Sequence, residues 1–140
     1  MLQGILIFIV FLGPLIFFHE LGHFFFARLF GVRVEVFSIG FGPKLLKWRR
    51  GDTEYALSAI PLGGYVKMFG DDPFREQELS DDEKKVAFNH KSKWARFWII
   101  FGGPLANLLL AFGLYFALVV GGEKVPEIRL GKVAQASLLH

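Results

Sequence analysis

Leu15-Ile16-Phe17-Phe18-His19-Glu20-Leu21-Gly22-His23-Phe24-Phe25-Phe26 places three polar, chemically active side chains inside an otherwise apolar run. Two histidines four residues apart lie about 40° from each other around a helix of ~3.6 residues per turn. Both imidazoles therefore face the same way and can reach one ion. Glu20 is about 100° from His19 and adjacent in space. Zinc takes neutral imidazole nitrogens as ligands and keeps a position open for water, and a carboxylate beside that water can accept its proton. The spacing supplies those parts and lacks a third ligand.

The rest of the chain suits a polar site placed among apolar residues. Of 140 residues, 53% are hydrophobic and 16% aromatic, and the mean hydropathy is +0.42. The apolar residues gather in two blocks, 2–27 and 97–120. Each is long enough to cross ~30 Å of hydrocarbon as a helix of ~20 residues. The first block has no basic stretch before it and no small-residue cleavage site, so it reads as an anchor and not as a signal peptide. Of the 16 Lys and Arg residues, 13 fall between Arg28 and Arg96, and only Lys124, Arg129 and Lys132 follow the second block. Positive charge collects on the cytoplasmic side of membranes, which predicts a cytoplasmic loop over 28–96 and both termini outside. The net charge of +3 thus reports topology, and no nucleic-acid partner follows from it. The absence of cysteine rules out a disulfide and a thiolate metal site.

Within the first block, Pro14 is expected to kink the helix one turn before the histidines, and Gly31 to stop it. From Val32 the pattern alternates. Val32–Val36 reads as a strand, Gly40-Phe41-Gly42-Pro43 as its break, Lys44–Trp48 as a further extended piece, Thr53–Ile60 as the return strand ended by Pro61, and Tyr65–Met68 as a short strand. Such a β unit is too small to stand alone and should lean on the helices. Asp71–Glu78 is polar and reads as a solvated loop. Ser80 with Glu83 forms a capping box for a short helix through Ala87. Lys91, Lys93, Trp94, Arg96 and Trp98 make a basic, aromatic collar before the second block. In that block, Gly102-Gly103 permits close helix approach, and Asn107 is the one strongly polar side chain. Asn107 can face the metal cavity and bond a substrate carbonyl or oxyanion, or serve as an interhelical hydrogen bond.

Taken in order, HELGH (19–23), GVRVEVFSIGFGP (31–43), TEYALSAIPLGGYVKM (53–68), AFNHKS (87–92) and GGPLAN (102–107) resemble the site-2 protease family of intramembrane zinc metalloproteases, in its bacterial regulator-of-sigma-E protease type. The resemblance implies a membrane α-helical fold with a small antiparallel membrane-associated β-loop, of which this chain holds two transmembrane helices of a polytopic protein. The expected layout is transmembrane helix 1 over 1–31, a membrane-reentrant β-loop over 32–70, a cytoplasmic linker and interfacial segment over 71–96, transmembrane helix 2 over 97–121, and the start of a truncated periplasmic PDZ domain over 122–140. It implies Zn²⁺ on His19 and His23, Glu20 as general base, and residence in the bacterial inner membrane. Implied partners are the lipid bilayer and single-span membrane substrates, anti-sigma factors or remnant signal peptides. The family's third ligand is an Asp in an LDG motif on a later helix, and no LDG occurs here; the chain is expected to be an N-terminal piece, inactive alone. Two other classes share these residues: a membrane metal-binding or transport protein, which gives Glu20 no task, and a non-catalytic scaffold.

Overall fold

The computed structural model describes residues 1–122 of the chain. Helix α1 covers Leu2–Leu29, strands β1 and β2 cover Val34–Arg50 and Thr53–Met68, the short helix α2 covers Asp81–Lys84, and helix α3 covers Lys93–Val120. Two 3₁₀ turns, Pro73–Glu78 and Phe88–His90, flank α2. The expected PDZ start at 122–140 lies, apart from Gly122, outside the described residues.

Helices α1 and α3 are each 28 residues, long and apolar enough to cross a membrane by length and composition. Most of their apolar side chains stay exposed over Leu2–Phe11 and Leu108–Val120. The two helices meet where both lack side chains. A Cβ on Gly22 would fall 2.1 Å from the Gly102 carbonyl oxygen, and one on Gly102 would fall 2.7 Å from the Gly22 carbonyl oxygen. Only glycine on both sides lets the backbones touch in this way. One turn on, Phe26 stacks on Trp98 with centroids 5.7 Å apart.

Strands β1 and β2 pair antiparallel, from Val34↔Met68 to Ile39↔Gly64 and again from Leu46↔Leu57 to Arg50↔Thr53. Val36–Ile39 also lie beside Glu54–Leu57, with partner numbers rising together. Each long strand is thus used twice, so the sheet is broader than a simple hairpin. The expected breaks at Gly40–Pro43 and Pro61 do not end the strands. Gly40 and Gly42 take φ of +89° and +79°, which glycine adopts without strain, so the chain changes direction while staying extended. Pro43 falls between the pairs Phe41↔Ile60 and Lys44↔Ser58, and Pro61 between Ile60 and Gly64. Neither proline occupies a paired position, so neither missing N–H costs a ladder bond.

The sheet leans on α1, as its size requires. Phe37 packs edge-on against Phe17 and Phe24, with centroids 6.2 and 5.4 Å away. Inside, Ser38 Oγ and Ser58 Oγ bond at 3.0 Å, and the fully buried Thr53 donates to the Val34 carbonyl at 2.7 Å. The small core joins Ala27, Val32, Val34 and Ile99, with Phe24, Phe26, Phe30, Val66, Met68 and Phe88 around it. It ties the end of α1, the base of the sheet and the start of α3 together. The linker is stitched to the same point by Arg33 N–H to Val86 O (3.0 Å), Phe69 N–H to Arg33 O (2.8 Å) and Phe88 N–H to Phe69 O (2.8 Å).

Three boundaries differ from expectation. The acidic stretch at Asp71–Glu78 contains a 3₁₀ turn, because Asp72 Oδ1 accepts from Phe74 N–H at 2.9 Å and Pro73 fits the first helical position. Helix α2 has the expected capping box but stops at Lys84. Helix α3 begins at Lys93, four residues before the expected 97, because Ser92 Oγ accepts from Ala95 N–H at 3.1 Å and caps it there. Lys93, Trp94 and Arg96 therefore sit on the first turn of α3, ahead of the apolar stretch. Gly31 follows α1 with φ of +74°.

Candidate metal centre

The spacing of four residues on α1 brings His19 and His23 together as expected from helix geometry. Their rings stand perpendicular, 85° apart, with centroids 4.8 Å apart, and their Nε2 atoms are 3.2 Å apart. Two Zn–N bonds of ~2.0–2.1 Å meeting at a tetrahedral angle would hold two nitrogens about 3.3–3.4 Å apart. The pair therefore already has the bite that tetrahedral zinc needs.

Both rings are held from behind by α3. His23 Nδ1 donates to the Ile99 carbonyl at 2.8 Å, which leaves the Nε2 lone pair of His23 facing forward. His19 Nδ1 is 3.3 Å from the Asn107 side-chain amide. Gly103 lies between these two contacts; a Cβ there would sit 2.4 Å from His23 Nε2 and 2.8 Å from His19 Cε1. Ile99, Gly103 and Asn107 are spaced four apart and share one face of α3, the counterpart of the histidine face of α1. Pro104, next to Gly103, removes the N–H that would have bonded Ile100 O, which loosens this turn of α3.

Glu20 lies on the side of the histidines toward the sheet. It lines a cavity of about 360 Å³ together with His19 and Asn107 from the helices and Phe41, Leu62, Gly63 and Gly64 from the sheet. A Cβ on Gly64 would come within 3.0 Å of Glu20 Cγ and 2.8 Å of the Ser38 carbonyl oxygen. The glycine pair Gly63-Gly64 within β2 thus lets the sheet come close to the carboxylate side chain. A larger cavity of about 910 Å³ opens on a neighbouring face of the α1–α3 seam, lined by Phe18, Phe25, Leu105 and Leu109 among others. It contains none of His19, Glu20 or His23, so its size does not make it the chemical site.

All four residues singled out from the sequence, His19, Glu20, His23 and Asn107, meet here. Among the described residues no group of three or more His, Cys, Asp or Glu side chains is placed to hold a metal ion, so His19 and His23 have no third ligand there. Sequence reading singled out Gly102-Gly103 for helix approach but did not connect Gly103 to the imidazoles, and it missed Ile99 and Gly64. The i, i+4 step from Gly103 to Asn107 was the available signal for the first of these. Nothing in the residue types announces the other two, because one acts through a backbone carbonyl and the other by lacking a side chain.

Comparison with known proteins agrees with the geometry. The sequence model of Peptidase family M50 matches residues 7–137. A Helicobacter pylori (strain J99) protein provisionally named a zinc metalloprotease is 49% identical over 117 residues, covering 84% of this chain and 33% of that protein. The regulator of sigma-E protease RseP of Escherichia coli K12 is 47% identical over 136 residues, covering 94% of this chain and 29% of that protein. A Clostridium acetobutylicum protein, also provisionally named a zinc metalloprotease, is 44% identical over 134 residues, covering 96% of this chain and 37% of that protein. The chain spans about a third of the length of these relatives. With nearly its whole length matched, the chain belongs to Peptidase family M50, the site-2 protease family.

Proposed function

We propose that the chain carries the zinc-binding and proton-transfer half of an intramembrane endopeptidase. The observation that carries this reading is the 3.2 Å approach of the His19 and His23 Nε2 atoms, with Glu20 lining one cavity together with His19. When bound, zinc supplies a water acidic enough to attack a peptide carbonyl at neutral pH. His19 and His23 hold the ion, and an Asp from a later helix of the intact protein completes the set. Glu20 accepts the proton as the water attacks, and returns it to the departing amine. The Ile99 carbonyl keeps the His23 ring from turning, and Asn107 faces the cavity where a substrate carbonyl or oxyanion would lie.

The helices α1 and α3 would cross the bacterial inner membrane, their exposed apolar faces against lipid or against further helices. The concentration of Lys and Arg over 28–96 supports a cytoplasmic loop and an N-terminus outside. A substrate helix hides its peptide bonds within its own hydrogen bonds and must unwind to be cut. An exposed edge of the β-loop, beside Glu20, would hold the unwound stretch as an added strand and replace the lost bonds. Substrates of this kind are single-span membrane proteins, such as anti-sigma factors or remnant signal peptides, and a PDZ domain would follow α3.

Glu20→Gln tests the assignment. In the intact membrane enzyme it should abolish cleavage of a single-span model substrate while zinc stays bound. Persistent cleavage would remove Glu20 from the mechanism.

A further inference from the structure

The cavity of about 910 Å³ beside the α1–α3 seam is apolar along most of its length and cationic at one end. Phe18 and Phe25 of α1 and Leu105 and Leu109 of α3 line its walls, and Arg28 and Arg50 line it too. Arg28 stands in the last turn of α1. Arg50 lies at that same end, because it pairs with Thr53, Thr53 donates to the Val34 carbonyl, and Val34 shares the small core with Ala27. From there the seam runs inward through the contacts of Phe26 with Trp98, Gly22 with Gly102 and His19 with Asn107. The ten residues from Arg28 back to Phe18 cover about 15 Å of helix at ~1.5 Å per residue. That is half of a hydrocarbon core of ~30 Å, the depth of one leaflet.

The charge at the mouth has no partner within the fold. Among the described residues the ion pairs are those of Arg33, Lys44, Lys67, Lys84 and Lys85, so Arg28 and Arg50 both keep their charge for a ligand from outside. The Arg28 guanidinium carbon lies 5.9 Å from the centroid of the Phe24 ring, which belongs to the same cavity wall. A cation held over an aromatic face at the edge of an apolar groove suits a ligand with an anionic head and an apolar tail.

We propose that this groove binds one anionic phospholipid, its phosphate on Arg28 and Arg50 and an acyl chain along the α1–α3 seam. The inference rests on the reading of α1 and α3 as membrane spans. Guanidinium groups take phosphate oxygens in pairs, and a headgroup with its own cation, as in phosphatidylcholine, meets like charge at the two arginines. A basic pocket between spans on the cytoplasmic side is where anionic headgroups gather. The occupant is not the substrate of the zinc centre. At ~100° per residue, Phe18 and Phe25 lie about 160° and 140° around α1 from Glu20, and none of His19, Glu20 or His23 lines the groove. A chain that must reach Glu20, or a helix that must bring a ligand to the two imidazoles, approaches from another side of α1.

The test is photo-crosslinking of the intact enzyme in phosphatidylcholine bilayers, with a diazirine on the acyl chain of either phosphatidylglycerol or phosphatidylcholine as the probe. Peptides containing Phe18–Phe25 and Leu105 should be labelled preferentially by the phosphatidylglycerol probe. The preference should fall about fivefold in Arg28→Gln or Arg50→Gln and about 25-fold in the double variant, at the usual worth of one arginine beside an anionic lipid. Arg49→Gln, the same charge change at a position that does not line the groove, should leave it unaltered. Equal labelling of those wild-type peptides by both probes, or a loss in Arg49→Gln as large as in Arg50→Gln, would overturn the site. Groove peptides that neither probe reaches, because a further helix of the intact enzyme is seated there, would overturn it as well. The wild-type comparison decides the matter should a variant fail to fold. If neither probe labels any part of α1 or α3, the membrane-span reading falls together with the lipid site. If Leu2–Phe11 is labelled and the groove shows no headgroup preference, the spans stand and only the site falls.

Discussion

Replacing Gly103 with alanine would place a methyl carbon 2.4 Å from His23 Nε2, 2.7 Å from His23 Cε1 and 2.8 Å from His19 Cε1. Ordinary contact begins near 3.4 Å, so the His23 ring, or α3 beneath it, must retreat by 1.0 Å, the difference between 3.4 and 2.4 Å. The ring cannot swing aside freely, because its Nδ1 is bonded to Ile99 O on the same helix. Helix α3 cannot retreat without opening the Gly22–Gly102 contact one residue away. A displacement of ~1 Å at a reacting centre costs on the order of 10²-fold in rate, equal to about 2.7 kcal/mol of barrier. Gly113→Ala on the same helix is the control, since a Cβ there meets nothing within 4 Å. Cleavage of a single-span substrate by the intact enzyme should fall about 100-fold in Gly103→Ala and stay near wild type in Gly113→Ala, with zinc occupancy reduced only in the former. Wild-type cleavage and zinc in Gly103→Ala would refute the claim that the histidines rest on this glycine.

At the crossing itself, Gly22→Ala puts a methyl 2.1 Å from the Gly102 carbonyl oxygen; it should force α1 and α3 apart and weaken engineered disulfide cross-linking between them, whereas cross-linking at the wild-type rate would show that the helices do not touch there. The Ser80–Glu83 capping box offers a pH dependence, because the Ser80 backbone and side-chain hydrogen bonds hold the Glu83 carboxyl below its ordinary value. A depressed carboxylate stabilises the fold above its unfolded-state pKa and loses that contribution as pH falls through the lower folded value. The Ser80 amide resonance should therefore titrate at a pH below the usual glutamate range and lose that titration in Glu83→Gln; titration at the ordinary value would mean that the box does not form.

The helices and the paired histidines were legible because each depends on a local period: ~20 apolar residues for a span, and i, i+4 for a shared face. Asn107 stood out as a polar side chain in an apolar helix, and the structure places it against His19. The strands were read correctly as extended but cut at Gly40–Pro43 and Pro61, because glycine and proline ordinarily punctuate. What decides the matter is register, a long-range property: both prolines fall where no pair forms. The contacts of Gly64 with Glu20 and of Ile99 O with His23 were illegible for a related reason. Each depends on how distant segments approach, and neither involves a distinctive side chain.

Zinc content and cleavage, measured on a single preparation of the intact Glu20→Gln enzyme, test most directly whether His19, Glu20 and His23 form a hydrolytic centre. Metal held as in the wild type with cleavage abolished is the expected pair of results, since the two imidazoles would bind and Glu20 would move the proton. Cleavage that persists, or zinc that departs with the carboxylate, would contradict that division of labour.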